Sequence, residues 1–484
     1  MKLFVKLLMA ALMILMIAGC EKDENPVDKK SGKADVKKYV AIGNSLTAGF
    51  QSNGLYRSAQ KYGYVKLISD QLMAAGAEIG TFEIPWWEDP GSPGADGKSA
   101  RLVLRSLTGP VIVPEGLAPG AQSNLQLTRP YDNLGIPGAI LYDFLDTTNF
   151  VAKSQSRANP FFAHVLRSSN FGNSVLAQAK NLNPDLITFW LGNNDVLGYA
   201  TSGGTSENMV GSVGPTPTAI FTQLINGAIG ALKASFPNAK IAVANIPDVK
   251  SVPYFTTIGP KVAASIPAGM YVRYQKHGVT GGSFDSTTFT EAGAPFLTLP
   301  ASGYVTELGV ASGKWYRDNR YAQLPAGIDT SKPFGFHPLN PIPDKLVLDA
   351  SEQAVAQTSV TEFNAAIAAT ASANGAALVD INTFFTGVKA NGITIGGVKY
   401  TADFITGQLF SLDGVHPSSK GQGIIANEFI KVMNAKFFNG AVEPVDVSSL
   451  PGISVTPLAK YGYQEKHVAQ MSYPEWQSFI DLWK

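Results

Sequence analysis

The chain has 484 residues, and its 38 Lys+Arg against 37 Asp+Glu leave a formal net charge of +1, without the basic excess of a dedicated nucleic-acid binder. An apolar share of 45% is too high for a disordered chain, and 15% charged residues with 48 Gly and 30 Pro describe a weakly charged, loop-rich globular protein. A single cysteine excludes an intramolecular disulfide and any multi-cysteine metal site.

That cysteine is Cys20. Ahead of it, Met1–Lys6 carries two lysines and Leu7–Ala18 is an unbroken apolar run of twelve residues. Such a run reaches about 18 Å as a helix, short of the ~30 Å hydrocarbon core of a bilayer, so it reads as a secretory signal rather than a span. Ile17-Ala18-Gly19-Cys20 resembles the lipobox of bacterial lipoproteins, which implies a signal peptide over residues 1–19 and lipidation of Cys20. Glu21 stands where an inner-membrane retention signal would place Asp, so the resemblance implies an envelope protein anchored through Cys20 to the outer membrane. Residues 20–38, with eleven charges between Glu21 and Lys38, are expected to form a solvated tether.

Beyond the tether, Tyr39-Val40-Ala41-Ile42 is a short buried-type strand ending at Gly43. Tyr64–Ala75 places Tyr64, Val65, Ile68 and Leu72 on one helical face, with Gly76 as the stop. Asp185–Leu191 is a second nearly continuous apolar strand, and Thr218–Ser235 repeats apolar residues from Ile220 to Leu232 at helical spacing. Lys240–Ile246 reads as a strand. Asp349 and Glu352 have the spacing of a capping box, opening a helix to Asn374 with Gly375 as its stop. Ala377–Ile381 is a further strand and Gly421–Phe437 a last helix. Strands apolar on both faces, alternating with helices, imply a parallel sheet covered on both sides, in one α/β domain over residues 39–438. The Gly/Pro-rich stretches near 81–131 and 253–343 exceed ordinary connections and read as insertions over one face, and 439–484 is a C-terminal extension.

Ligands of an open parallel sheet sit beyond the carboxyl ends of its strands. Three polar clusters fall there. Gly43-Asn44-Ser45-Leu46 follows the first strand, Gly192-Asn193-Asn194-Asp195 follows Leu191, and Asp413-Gly414-Val415-His416 precedes the last helix. A serine needs a base to act as a nucleophile, and the base needs an orienting carboxylate. Of the five histidines, His164, His277, His337, His416 and His467, only His416 has a carboxylate three positions earlier, at Asp413. The other four are expected to be structural or surface residues rather than metal ligands.

In this order, and with Asn133-Leu134-Gly135-Ile136-Pro137-Gly138 between the first two, the clusters resemble the sequence blocks of the SGNH, or GDSL-type, hydrolases. The resemblance implies a three-layer α/β/α, flavodoxin-like fold with a mainly parallel sheet of about five strands and long insertions. It implies an exported serine esterase, of carboxylesterase, lipase or acetylesterase type, working through an acyl-enzyme without metal or organic cofactor. Ser45 would be the nucleophile, His416 the general base and Asp413 the residue that holds its imidazole. The oxyanion hole would come from the N–H of Ser45, the N–H of Gly138 and the side-chain amide of Asn194. A lipid ester, a short-chain ester and an acetyl group on a glycan are all candidate substrates. The chain departs from the pattern at Asn44, where the family commonly has Asp. It departs also in spacing, with 93 residues from Ser45 to Gly138 and 222 from Asn194 to His416. The first departure is expected to alter local hydrogen bonding, the second to reshape the mouth of the site.

Two further readings use the same scaffold: a surface lipoprotein that binds lipid or glycan, and an acyltransferase using the same acyl-enzyme. Gly172-Asn173-Ser174 repeats the Gly-Asn-Ser triplet but follows no buried strand, so a loop or helix start is expected there. Gly97-Lys98-Ser99 lacks the leading glycine of a phosphate loop, because position 92 is serine. Trp86 and Trp87 are expected to pin an insertion to the body, the alternative being a platform for a sugar or an acyl chain.

Overall fold

The computed structural model describes residues 32–456, apart from 95–96, 108–109, 268 and 278–283. The signal segment with Cys20 and the final residues 457–484 with His467 lie outside the described residues. Five strands form the central sheet: β1 (Tyr39–Gly43), β2 (Asn133–Gly135), β3 (Leu186–Trp190), β4 (Lys240–Ala244) and β5 (Ala377–Val379). Their order is β5-β4-β3-β1-β2, and every neighbouring pair is parallel.

The apolar runs become strands because alternate side chains enter two separate cores. Val40 and Ile42 join Ile187, Phe189, Ile241 and Val243 on one face, while Tyr39 and Ala41 join Leu186, Trp190, Ala242 and Ala244 on the other. The helices that frame the sheet are, in chain order, α1 (Ser45–Ala48), α2 (Tyr64–Ala74), α3 (Val175–Leu182), α4 (Asn194–Thr201), α5 (Thr218–Ser235), α6 (Ala350–Ala373), α7 (Ile381–Asn391) and α8 (Ser419–Met433). The face of Tyr39 is covered by α2 and α8, with the rings of Tyr64 and Phe429 stacked 5.0 Å apart. The opposite face is covered by α3, α5 and α6, and the Phe221 and Phe363 rings stack at 3.9 Å between the last two. The result is the expected three-layer α/β/α arrangement. Among the described residues no helix is long and apolar enough to cross a membrane.

The chain passes from β1 to β2 on one side and then crosses to β3 on the other, a reversal that opens a crevice at the carboxyl ends. Gly43 at the end of β1 stands opposite Gly135 of β2 and Trp190 of β3, so the loops leaving three adjacent strands emerge together.

Several boundaries differ from the sequence reading. The strand expected at Ala377–Ile381 stops at Val379, because Asp380 caps a new helix by accepting from the Thr383 N–H. The last helix starts at Ser419 rather than Gly421, since the Ser418 hydroxyl accepts from the Gly421 N–H, and its end widens into a π-turn over Asn434–Phe438. Asp349 and Glu352 do form a reciprocal capping box. Ser174 of the repeated triplet is the N-cap of α3. The 81–131 stretch contains an antiparallel pair, Leu102–Ser106 with Val111–Pro114. Trp87 is buried there, donating from Nε1 to the Gly120 carbonyl at 2.8 Å and meeting the Phe161 and His164 rings.

Candidate active site

Ser45 stands at the first turn of α1, just beyond the carboxyl end of β1. The turn is tight because Gly43 has no side chain: a Cβ there would lie 2.0 Å from Thr47 Oγ1 and 2.8 Å from the Trp190 carbonyl oxygen. Asn44 is the N-cap, its Oδ1 accepting from the Leu46 N–H at 3.1 Å. As the first helical residue, Ser45 has no intrahelical acceptor for its N–H, and none is found among the other described residues.

His416 comes from the far end of the chain. Its Nε2 lies 2.9 Å from Ser45 Oγ, and its Nδ1 lies 3.1 Å from Asp413 Oδ2. The three-residue spacing works because one carboxylate serves backbone and ring together. Asp413 Oδ1 accepts from the N–H groups of Val415 (2.9 Å) and His416 (2.8 Å), which curls the chain until the ring meets Oδ2. A fourth donor, the Asn53 N–H, reaches Oδ2 at 2.9 Å. It is delivered by a hairpin in which Ser52 and Asn53 both have positive φ (49° and 64°) while Gln51 and Gly54 exchange two backbone hydrogen bonds, a type I′ turn. Burial pushes the Asp413 carboxyl up, but the His416 imidazole and the bonds from His416 and Asn53 outweigh it and hold the group below its ordinary value. Ser45, Asp413 and His416 are all buried, and the Phe50 ring packs on the imidazole at 4.8 Å.

Gly138 follows β2 and has φ +77°, a left-handed conformation that costs glycine nothing. Its N–H has no partner among the described residues. Asn194 opens α4 after β3, and its Nδ2 donates one hydrogen to the Ala139 carbonyl at 2.9 Å, which leaves the second. The neighbouring Asp195 accepts from the Leu141 N–H and from the Thr216 hydroxyl, each at 2.8 Å. Burial raises its carboxyl to about 7 against those two bonds. The sequence-predicted Ser45, Gly138, Asn194, Asp413 and His416 thus gather at the ends of β1, β2 and β3.

Beside Ser45 and His416 lies an apolar cavity of about 850 Å³, its open mouth included. Leu46, Trp190, Leu197 and Val252 form part of its wall, Phe384, Phe385 and Val388 of α7 another part, and Phe410, Ile424 and Ile425 a third. A hydroxyl hydrogen-bonded to an imidazole, itself held by a carboxylate, beside two backbone N–H groups without partners among the described residues, can attack a carbonyl and stabilise the oxyanion that forms.

The sequence model of the family described as GDSL-like Lipase/Acylhydrolase matches residues 39–284 and 317–429, well over half of the chain. The chain belongs to that family. It is an ester-hydrolysing serine hydrolase. Among solved structures, an alpha/beta hydrolase enzyme from the metagenome of Lake Arreo, Spain, is 12% identical over 82% of this chain and 95% of its own, with a TM-score of 0.33. The lipase/acylhydrolase of Enterococcus faecalis is 11% identical over 84% and 98%, at 0.31. An extracellular lipase of Streptomyces rimosus is 14% identical over 83% and 99%, at 0.30. Membership of the family rests on the sequence match. No curated protein matches the chain.

At the point where this GDSL-like hydrolase departs from the family pattern, Asn44 Oδ1 caps α1 and Nδ2 has no partner among the described residues. His164 is buried, with Nε2 3.2 Å from the Pro85 carbonyl oxygen, and burial lowers its imidazole to about 4. His277 Nδ1 lies 3.7 Å from Asp344, and His337 Nδ1 accepts from the Leu339 N–H. Two contributors escaped the sequence reading. Asn53 acts through its backbone and was signalled only by its Asn-Gly turn. Helix α7 was signalled by Asp380 followed by Ile381, Phe384, Phe385 and Val388 at helical spacing.

Proposed function

We propose that this hydrolase cleaves esters of aliphatic acyl chains through an acyl-enzyme on Ser45. The carrying observation is Ser45 Oγ, 2.9 Å from His416 Nε2, at the wall of the apolar cavity. His416 takes the serine proton as Oγ attacks the ester carbonyl carbon and later gives it to the leaving alcohol. Asp413 holds the imidazole with Nδ1 protonated and stabilises the cation that forms. The N–H groups of Ser45 and Gly138 and the free N–H of Asn194 meet the oxyanion. Water, activated by His416, then releases the acid.

Among lipid, short-chain and glycan-acetyl esters, the cavity favours an acyl chain of several carbons. Each buried methylene contributes about 0.8 kcal/mol, whereas an acetyl group would leave most of the apolar wall unused. Lipidation of Cys20 would hold the enzyme at the outer membrane of a bacterial envelope, where acyl esters are at hand. Hydrolysis of chromogenic esters from acetyl to long acyl tests the reading. Turnover that rises with chain length and disappears in a folded Ser45→Ala variant is expected; turnover retained in that variant refutes it.

A further inference from the structure

The turn that carries Gly138 is held at almost every backbone polar group. The Pro137 carbonyl accepts from Asn159 Nδ2 at 2.8 Å, the Ala139 carbonyl from Asn194 Nδ2 at 2.9 Å, and the Ile140 carbonyl from the Asp143 N–H at 3.1 Å. The N–H of Ala139 goes to the Ile136 carbonyl, that of Ile140 to Asp143 Oδ2 at 2.8 Å, and that of Leu141 to Asp195 Oδ2 at 2.8 Å. The N–H of Gly138 is the one left over among these described residues.

Behind this turn sits an ionic cluster in which Asp143 and Lys153 are buried and the Arg157 side chain is 20% exposed. Arg157 Nη1 lies 2.7 and 2.8 Å from the two oxygens of Asp143, and its Nη2 is 3.5 Å from the Gly138 carbonyl oxygen. Lys153 adds contacts of 3.1 Å to Asp143 and 2.5 Å to Asp146. Both cations lie near the face of Phe162, at 4.8 Å for Lys153 and 5.2 Å for Arg157. The Asp143 and Lys153 side chains are only 1% and 9% exposed. Burying such charges costs about as much as their attraction returns, so the cluster is a poor device for stability alone. It is a good device for geometry, since a carboxylate held by both Arg157 and Lys153 pins the Ile140 N–H that donates to it.

We infer that Arg157, acting through Asp143, is a positioning residue for the oxyanion hole: the cluster fixes the Gly138 turn so that its N–H points at the developing oxyanion. The inference rests on Gly138 serving as an oxyanion donor in the proposed reaction. Asp143 keeps Lys153 and the Ile140 N–H when Arg157 is removed, so the carboxylate is not stranded. What is lost is the constraint on the turn.

The test uses the full chain with Arg157→Met and Arg157→Lys, a chromogenic acyl ester, and an alkyl boronic acid, whose serine adduct is tetrahedral. Arg157→Met is expected to lower kcat roughly 10- to 100-fold, the scale of a misplacement of about 1 Å, with KM within about twofold. Boronate affinity should fall in parallel with kcat, which a purely structural role would not require. Arg157→Lys should fall between, because an ammonium can pair with Asp143 but, with all its donors on one nitrogen, does not span to the Gly138 carbonyl as the guanidinium does. A folded Arg157→Met with unchanged kcat overturns the inference. Should that variant fail to fold, Arg157→Lys decides, and unchanged kcat there overturns it equally. Turnover surviving Ser45→Ala would instead strike the proposed reaction itself.

Discussion

Replacing Asp413 by Asn isolates the part of the site in which geometry and chemistry are hardest to separate. The carboxylate accepts four hydrogen bonds, two on Oδ1 from the Val415 and His416 N–H groups and two on Oδ2 from the Asn53 N–H and His416 Nδ1. An asparagine offers one accepting oxygen and one donating nitrogen. With the nitrogen on the Oδ1 side, two backbone donors that cannot change face another donor, at about 1–3 kcal/mol each. With the nitrogen on the Oδ2 side, only the Asn53 N–H is orphaned, because the imidazole can shift its proton to Nε2 and accept at Nδ1. The second arrangement is cheaper, so it should be populated. It leaves the wrong tautomer: Nε2 carries a hydrogen and cannot take the proton of Ser45. The expected result is a loss of kcat on the order of 10⁴, equivalent to about 5 kcal/mol, with only about 1–3 kcal/mol of lost stability. Steady-state hydrolysis of a chromogenic ester and urea denaturation measure the two quantities. A variant that keeps kcat within about tenfold while losing the stability of two orphaned donors would refute the reasoning, since the imidazole would then have kept its tautomer without the carboxylate.

Asn194→Ala should lower kcat by about 10²–10³ with little change in KM, as one oxyanion donor is removed; an equal change in KM would mean that the amide binds the ground state. Val388→Trp, which fills the α7 wall of the cavity, should shift the chain-length profile to shorter acyl groups by about 0.8 kcal/mol per excluded methylene, and an unchanged profile would show that the chain binds elsewhere. Asp195 tests linkage. Its folded value of about 7 stands above the ordinary 3.8, so the stability it contributes is complete below about pH 4 and is lost as pH rises through 7. Urea denaturation should show wild type losing on the order of 4 kcal/mol relative to Asp195→Asn between pH 4 and 8, as an upper bound, and parallel profiles would show that the group titrates normally.

The sequence alone determined the periodic parts of this protein and the residues whose chemistry is local. Tyr39–Gly43 and Leu186–Trp190 were legible because burial of both strand faces leaves a short unbroken apolar run, the helices at 64 and 218 because burial of one face writes a helical period, and the helix at 350 because its capping box is local in sequence. The pairing of Asp413 with His416 was legible because three residues suffice for one carboxylate to bind both a backbone and the ring above it. Tertiary structure decided the rest. Asn133–Gly135 is too short to show a strand period, and becomes one only because β1 offers it an open edge. Asn53 contributes a backbone N–H, and backbone groups are the same in every residue, so no side chain advertises the role. Helix α7 carries the signals of a helix, but only the fold makes Phe384, Phe385 and Val388 a wall facing Ser45. Asp143, Lys153 and Arg157 form no motif in the sequence. Their cluster acquires meaning only when packing removes water from it and sets it against the turn of Gly138, because the direction of a hydrogen-bond donor is a property of three-dimensional contacts rather than of composition.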